Sequence, residues 1–458
     1  MEQMTVKEIV EATGGVLLCG DERIPLIHIS IDSQNIQGGE LFVPLVGEKV
    51  DAHQYISQAL AAGAAAVLTS EHDRMEDERP WIRVKDTKKA LQAIGSYYRN
   101  RLTLPLVGIT GSVGKTTTRE MVAIALSAGR KVYKTPGNKN SQVGVPITLS
   151  EITSEDEIGV LELGMSMPGE MTVIARIARV DTALITNVGV AHIEQLGNQE
   201  NIYREKLKIQ DGLKEGGVLL LNGDDPLLKD TRAKEGCATL YYGTGENCDY
   251  RAENIHLYKG CPQFTAVYKN KRIPVQLKVM GTHNVGNAMA ALAVADLYGI
   301  PMEKAAERLQ NFTGFQGRQQ IYERNEVTII DDTYNASPVS MLAALKVLES
   351  MEVATRRIAV LADMKELGAE GERYHREIGE WLEEHPIDMV LTLGELSRVI
   401  EGGEQCLHFA AGDLDSLYET LIRLLQPGDC VLLKGSNSMK LGDVAKKLIE
   451  ADQKHQSF

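Results

Sequence analysis

The stretch LPLVGITGSVGKTTTREMVAIALSAG, residues 104–129, constrains this chain more than any other. Its first half is a short apolar run that reads as a buried strand, and TTTREMVAIALSAG reads as a helix. A strand that feeds a glycine-rich loop and then a helix is one unit of an α/β fold built on parallel strands. The loop glycines let backbone N–H groups turn toward an anion, and the helix N-terminus adds partial positive charge. Lys115 has the reach for β- and γ-phosphates, and the Thr116 hydroxyl suits a divalent cation. The nucleotide contacts expected in this loop are Gly111, Ser112, Gly114, Lys115, Thr116 and Thr117. The common spelling G-x-x-x-x-G-K-[ST] fails by one place, because Ile109 stands where its first glycine belongs. The loop therefore specifies phosphate without specifying a reaction.

With 458 residues the chain exceeds one ordinary domain, and the strand–helix rhythm divides it into three. Residues 1–101 read as a small α/β unit with strands GGVLLCG, IHISIDSQ, ELFVPLVG, AAAVLTS and PWIRVKD and one helix, DAHQYISQALAAGA. Residues 102–314 carry the phosphate loop and the buried runs IGVLELG, TALITNVG and GGVLLLNGDD, suited to a mostly parallel sheet. Antiparallel hairpins are expected from YRAENIHLYKGCPQFTAVYKNKRIPVQLKV, followed by a helical pair. Residues 315–458 repeat the α/β pattern through VTIIDDTY, RIAVLADM, DMVLTLG and CVLLKGS, a Rossmann-like arrangement. Ligands are expected at strand C-termini and between domains.

Charge narrows the partners. The net charge of −14 and the lack of a basic block argue against nucleic acid, whereas a few local donors suffice for a small anion. The six cysteines form no C-x-x-C pair, which argues against zinc and redox motifs. The N-terminus carries acids where a signal peptide is apolar, and no apolar run reaches membrane-spanning length, so a cytoplasmic chain is expected.

Other candidates lie just past strand-like runs. Glu162 in VLELGMSMPGE is either a metal ligand beside the phosphates or a solvated strand-end acid. His192 in LITNVGVAHIEQLG is either a ligand or a satisfied structural histidine. Lys206, in a mixed-charge helix, reads as a surface lysine, since a plain ammonium beside a cation is repelled. Arg318 in GFQGRQQ is either a clamp on a γ-phosphate or an interface ion pair. Asp331 and Asp332 in VTIIDDTYNASP are either ligand-binding acids or part of a turn.

Taken together, these segments resemble the Mur ligase family over essentially the whole chain. The residues that carry the resemblance are TGSVGKTTTRE, DSQNIQGGELFVPLVGEKVDAH, NKNSQVGVPITL, ELGMSMPGE, ITNVGVAHIEQLG, GTHNVGNAMAA, GRQQ, DDTYNASPVSM, ADMKELG and KGSNSMKL. The resemblance implies an ADP-forming amide ligase of peptidoglycan precursor synthesis, of the branch that adds D-alanyl-D-alanine to UDP-N-acetylmuramoyl-tripeptide. It implies ATP and two Mg²⁺ sites, with Thr116 and Glu162 at one, His192 at the other, and Lys206 as a carbamylated metal ligand. Lys115, His192, Lys206 and Arg318 are its catalytic set. Asn284 and Asn287 would lie near the adenine, and Arg318 and Asp332 would meet the nucleotide. Ser30, Asp32 and Ser33 would take the UDP end, and Asn138, Asn140, Asn335 and Ser337 the remaining substrate. A monomer is expected.

Four departures stand out: Gln34 replaces an arginine of the family pattern, Arg119 a lysine, Thr333 a serine and Ser337 an asparagine. The competing readings are a third-residue-adding or folylpolyglutamate-synthase-like ligase, a small-molecule kinase and a nucleotide-regulated binding protein.

Overall fold

A computed structural model describes residues 2–73, 77–352, 355–402 and 405–450; the last residues of the third expected domain, 451–458, lie outside these. The fold is α/β throughout, with three main sheets along the chain.

The central sheet has nine strands, in the order Lys271–Gln276, Cys261–Tyr268, Tyr250–Tyr258, Ala238–Gly243, Val218–Asn222, Thr182–Ile185, Leu106–Thr110, Ile158–Glu162 and Val132–Lys134. Every residue of Leu106–Thr110, Ile158–Glu162 and Thr182–Ile185 is buried, as strands covered on both faces require. Alternate side chains serve opposite faces. Val107, Ile109, Val160 and Leu184 join the core that includes helices Lys115–Leu126 and His283–Leu297. Leu106, Leu161, Ala183 and Ile185 join the one that includes Gly144–Glu151 and Glu170–Ala178. Leu106–Thr110 runs parallel to both neighbours, Ile158–Glu162 and Thr182–Ile185. The chain thus leaves this strand and returns on either side of it, and such a switch point leaves a crevice beyond the strand ends. The expected hairpins form: Tyr250–Tyr258, Cys261–Tyr268 and Lys271–Gln276 are antiparallel.

The C-terminal sheet runs Gln320–Arg324, Val327–Asp332, Cys430–Lys434, Arg357–Ala362, Met389–Leu393, Gln405–Phe409. Its first pairing is antiparallel and the others are parallel. The last strand of the chain inserts between Val327–Asp332 and Arg357–Ala362, which gathers Asp332, Asp363 and Lys434 at one end.

The N-terminal sheet runs Val16–Cys19, Trp81–Arg83, Ala66–Thr69, Glu40–Phe42, His28–Ser30. Beside it lies a helix, Thr87–Arg101, where the sequence reading placed none. Asp86 caps it by accepting from Lys89 N–H at 2.9 Å. Its buried face joins the N-terminal unit to the centre: Tyr98 Oη donates to Ile152 O at 2.6 Å and Arg99 Nε to Ala178 O at 2.9 Å.

Candidate active site

The phosphate loop is built for close backbone packing. Gly111 has φ 152°, and a Cβ there would stand 1.9 Å from Thr186 Oγ1; Gly114 has φ 84° and starts the helix. No other residue fits position 111 without displacing its neighbour. The strand ending at Ile185 leads into the residues that hold the loop. Asn187 accepts from Ser112 N–H through its backbone oxygen at 3.1 Å, and from Val113 N–H through Oδ1 at 2.9 Å. Thr186 Oγ1 donates to Val113 O at 2.6 Å, and Gly189 N–H to Ser112 Oγ at 2.9 Å. Lys115 Nζ folds back onto Gly111 O at 2.8 Å. Loss of hydration pushes its ammonium below the usual lysine range, opposed by Glu162 and assisted by Arg318.

Behind the loop, Glu162 ends its strand fully buried. Its Oε2 accepts from Thr116 Oγ1 at 3.0 Å and Arg119 Nη1 at 3.1 Å, and its Oε1 from Asn140 Nδ2 at 2.8 Å. Arg119 is buried and also reaches Glu120 Oε1 and Gly137 O. Lys206 is buried too, against the surface reading of its sequence position. Among the described residues its ammonium has no hydrogen bond or ion pair. Burial, and then Lys115, push it well below the usual lysine range. His192 lines the cleft, with Nδ1 2.5 Å from Glu366 Oε2. The residues fit a divalent cation. Glu162 and His192 line one cleft and Thr116 donates to Glu162, while Lys206, buried within electrostatic reach of Lys115 but outside the cleft lining, becomes an anionic oxygen donor if carbamylated.

The facing wall comes from the C-terminal sheet. Arg318 Nη2 donates to Thr116 Oγ1 at 3.0 Å, and its guanidinium lies 4.1 Å from the Tyr334 ring centre. Among the described residues its buried Nε has no partner. Lys434 Nζ donates to Asp332 Oδ2 at 2.6 Å and to Asn335 O at 3.2 Å. Burial raises the Asp332 carboxyl above its ordinary range, and Lys434 and Arg318 oppose that rise. Ser337 opens the helix Pro338–Glu349, its N–H donating to Ser340 Oγ at 2.9 Å. On the central side, Thr118 Oγ1 donates to Asn287 Oδ1 at 3.0 Å, and Asn287 Nδ2 to Asn284 Oδ1 at 2.9 Å.

One cleft of about 1320 Å³ is lined by the loop, Thr117, Asn138, Asn140, Glu162, His192, Asn284, Asn287, Arg318, Asp332, Asn335 and Ser337. Lys206, Ser30, Asp32 and Ser33 do not line it. Ser30 Oγ and the Asp32 carboxylate are engaged in their own turn, and Ser33 Oγ donates to Gln58 Oε1 at 3.4 Å. The sequence reading gave no role to Lys434 or Glu366. Lys434, in KGSNSMKL, ends the strand Cys430–Lys434, and Glu366, in ADMKELG, follows the strand Arg357–Ala362; strand-end position is the signal that could have found them.

Family models place the Mur ligase family catalytic domain at residues 26–99, the Mur ligase middle domain at 109–295 and the Mur ligase glutamate ligase domain at 317–437. The chain is 38% identical to the UDP-N-acetylmuramoyl-tripeptide–D-alanyl-D-alanine ligase of Bacillus subtilis, covering 98% of this chain and 99% of that one. It is 33% identical to the Escherichia coli ligase of the same name, with the same coverage. Among solved structures it superposes on a MurF from Acinetobacter baumannii with a TM-score of 0.90 at 30% identity, over 98% of this chain and 99% of that one. A Thermotoga maritima MurF ligase in complex with ADP gives 0.83 at 28% identity, over 94% and 98%. From the buried Thr116–Glu162 pair to the full-length likeness, these findings agree: the chain belongs to the Mur ligase family.

Proposed function

We propose that the chain joins D-alanyl-D-alanine to the terminal carboxylate of UDP-N-acetylmuramoyl-tripeptide, with ATP cleaved to ADP and phosphate. The observation that carries this reading is the full-length likeness to relatives of that name. The cleft supports it, because the phosphate loop and the C-terminal sheet wall the same space.

The tripeptide carboxylate attacks the γ-phosphorus, forming an acyl phosphate and releasing ADP. The dipeptide amine then attacks the acyl carbon, the amide bond forms, the amine gives up a proton and phosphate departs. Lys115 and the loop amides between Gly111 and Thr116 bind the β- and γ-phosphates. Arg318, delivered from the other sheet, meets the charge that builds on the transferred group. Asn284 and Asn287 face the base, and Asp332 the nucleotide. Residues 1–101, with Ser30, Asp32 and Ser33, take the UDP end; 102–314 bind ATP; 315–458, with Asn335 and Ser337, take the dipeptide. Asn138 and Asn140 hold the muramoyl-peptide. Thr116, Glu162, His192 and Lys206 as its carbamate would hold Mg²⁺, which neutralises charge between carboxylate and phosphates. Carbamylation of the neutral amine consumes CO₂, forms the N–C bond and releases one proton, and it leaves an anion in place of the buried amine. Closure over the cleft keeps water from the acyl phosphate.

The test is phosphate release with ATP and UDP-N-acetylmuramoyl-tripeptide, with and without D-alanyl-D-alanine, alongside the product mass. The expected result is a dipeptide-dependent pentapeptide product. Equal ADP formation without the tripeptide would leave a plain ATPase or kinase instead.

A further inference from the structure

His192 and Glu366 follow strands of different sheets, yet they meet at the cleft. Both have left-handed backbones, φ 64° and φ 65°. Such conformations are uncommon away from glycine and gather at functional contacts. The seam around them is closely fitted. Glu194 N–H points to Glu366 O at 3.4 Å, and a Cβ on Gly368 would stand 3.4 Å from Glu194 Cα. Val190 and Ile193, which flank His192, pack against the C-terminal core.

The imidazole itself is two-sided. Its Nδ1 is buried, with Glu366 Oε2 2.5 Å away but off the axis of a ring N–H, so a small rotation of the ring completes a hydrogen bond. Nε2 has no partner among the described residues, and the ring lines the cleft. An ionised carboxylate only accepts, so it requires the ring proton to sit on Nδ1. The lone pair is then on Nε2. Metal-binding histidines are commonly oriented in this way by a carboxylate on the far nitrogen. In this chain the carboxylate arrives from the C-terminal sheet.

We propose that Glu366 is a positioning residue for the metal site. It fixes the proton of His192 on Nδ1 and presents Nε2 to the divalent cation in the phosphate cleft. Because Glu366 comes from the closing domain, cation binding and closure support each other. The inference rests on His192 being a metal ligand, and the experiment separates the two claims.

The probe is Mn²⁺ with a non-hydrolysable ATP analogue, titrated into the full chain and followed by electron paramagnetic resonance. The radius of gyration is measured by X-ray scattering on the same samples. Glu366→Ala is expected to weaken Mn²⁺ binding about ten- to a hundredfold. Glu366→Gln, whose amide oxygen still accepts from Nδ1–H, is expected to recover most of that loss. His192→Ala should lose at least as much as Glu366→Ala, and the double variant no more than His192→Ala alone. Glu366 is exposed and lies outside the core, so these variants should fold, and their circular dichroism melts check this. Unchanged Mn²⁺ affinity in Glu366→Ala, with a clear loss in His192→Ala, overturns the positioning role and leaves the metal reading intact. So does a scattering change in Glu366→Ala without an affinity change, which marks a seam contact only. Unchanged affinity in His192→Ala removes the metal reading and this proposal with it.

Discussion

The two walls of the cleft are organised differently. On the central wall the phosphate loop is held from within its own sheet: Asn187, Thr186 and Gly189 fix it, and Lys115 donates to Gly111 O. On the C-terminal wall the cations rest on carboxylates of their own sheet, Lys434 on Asp332 and Lys365 on Asp363. Two side chains of this wall reach across, Arg318 to Thr116 and Glu366 to His192. A ligand entering the first wall finds its donors fixed, which lowers the reorganisation cost of catalysis. A ligand meeting the second must draw Arg318 off a hydroxyl. In the proposed function the central wall sets where phosphate sits, and the C-terminal wall sets when the site is complete.

The sharpest way to break this contrast is Lys115→Ala. Removing a fixed donor from the central wall should lower kcat about a thousandfold. Binding of the UDP substrate, measured by calorimetry, should be unchanged, because Ser30, Asp32 and Ser33 lie outside the cleft. Loss of UDP-substrate binding would mean that the walls are wrongly assigned. Lys206→Ala should cost a few hundredfold. Wild-type protein depleted of CO₂ should regain activity on addition of bicarbonate, and the variant should not respond to it. A bicarbonate response in Lys206→Ala would remove the carbamate.

The central wall was largely legible in the sequence, because its chemistry is local. Strand, glycines, Lys115 and Thr116 follow one another, and period and spacing are sufficient to read them. What was not legible depends on packing at a distance. Lys206 reads as a surface lysine on a charged helix, and only the tertiary fold buries it. Glu162 could be placed at a strand end, but its bond to Arg119 joins residues 43 apart. The helix Thr87–Arg101 was missed although Ala90, Leu91, Ile94, Gly95 and Tyr98 recur at helical spacing, because Arg99 stands on that same face, and its burial against Ala178 O is a contact between units. Glu366 and Lys434 lie within family-like segments, yet Lys434 meets Asp332 through the insertion of Cys430–Lys434 beside Val327–Asp332, and Glu366 meets His192 across two sheets.

Arg318→Ala tests the crossing arm directly. It should lower kcat about a hundredfold and change KM for ATP much less, since the side chain acts on charge that develops during transfer. Arg318→Lys should not restore it, because an ammonium lacks the planar set of donors. A large rise in KM with kcat intact would make Arg318 a ground-state anchor, and the C-terminal wall would then resemble the central one.

The smallest effect concerns what supports the Glu366 segment. His375 is fully buried; its ring accepts from Met364 N–H through Nε2 at 2.9 Å and meets Gly371 O through Nδ1 at 2.7 Å. That pattern needs a neutral ring with its proton on Nδ1. Loss of hydration lowers its affinity for protons below the ordinary histidine range, against the opposing pull of Gly371 O and Asp363. As pH falls through about 6.5 the unfolded chain takes up this proton before the folded one does. The stability His375 contributes is therefore complete above that pH and is lost progressively below it. Thermal melts between pH 8 and pH 5 should show this decline, and His375→Gln should flatten it, because an amide can accept from Met364 and donate to Gly371 without titrating. His375→Ala should cost about 1–3 kcal/mol at neutral pH, the usual consequence of leaving two buried backbone groups unpaired. A pH slope unchanged in His375→Gln would shift the acid sensitivity to other groups. It would also separate the Met364–Gly371 turn from the closing wall it is expected to brace.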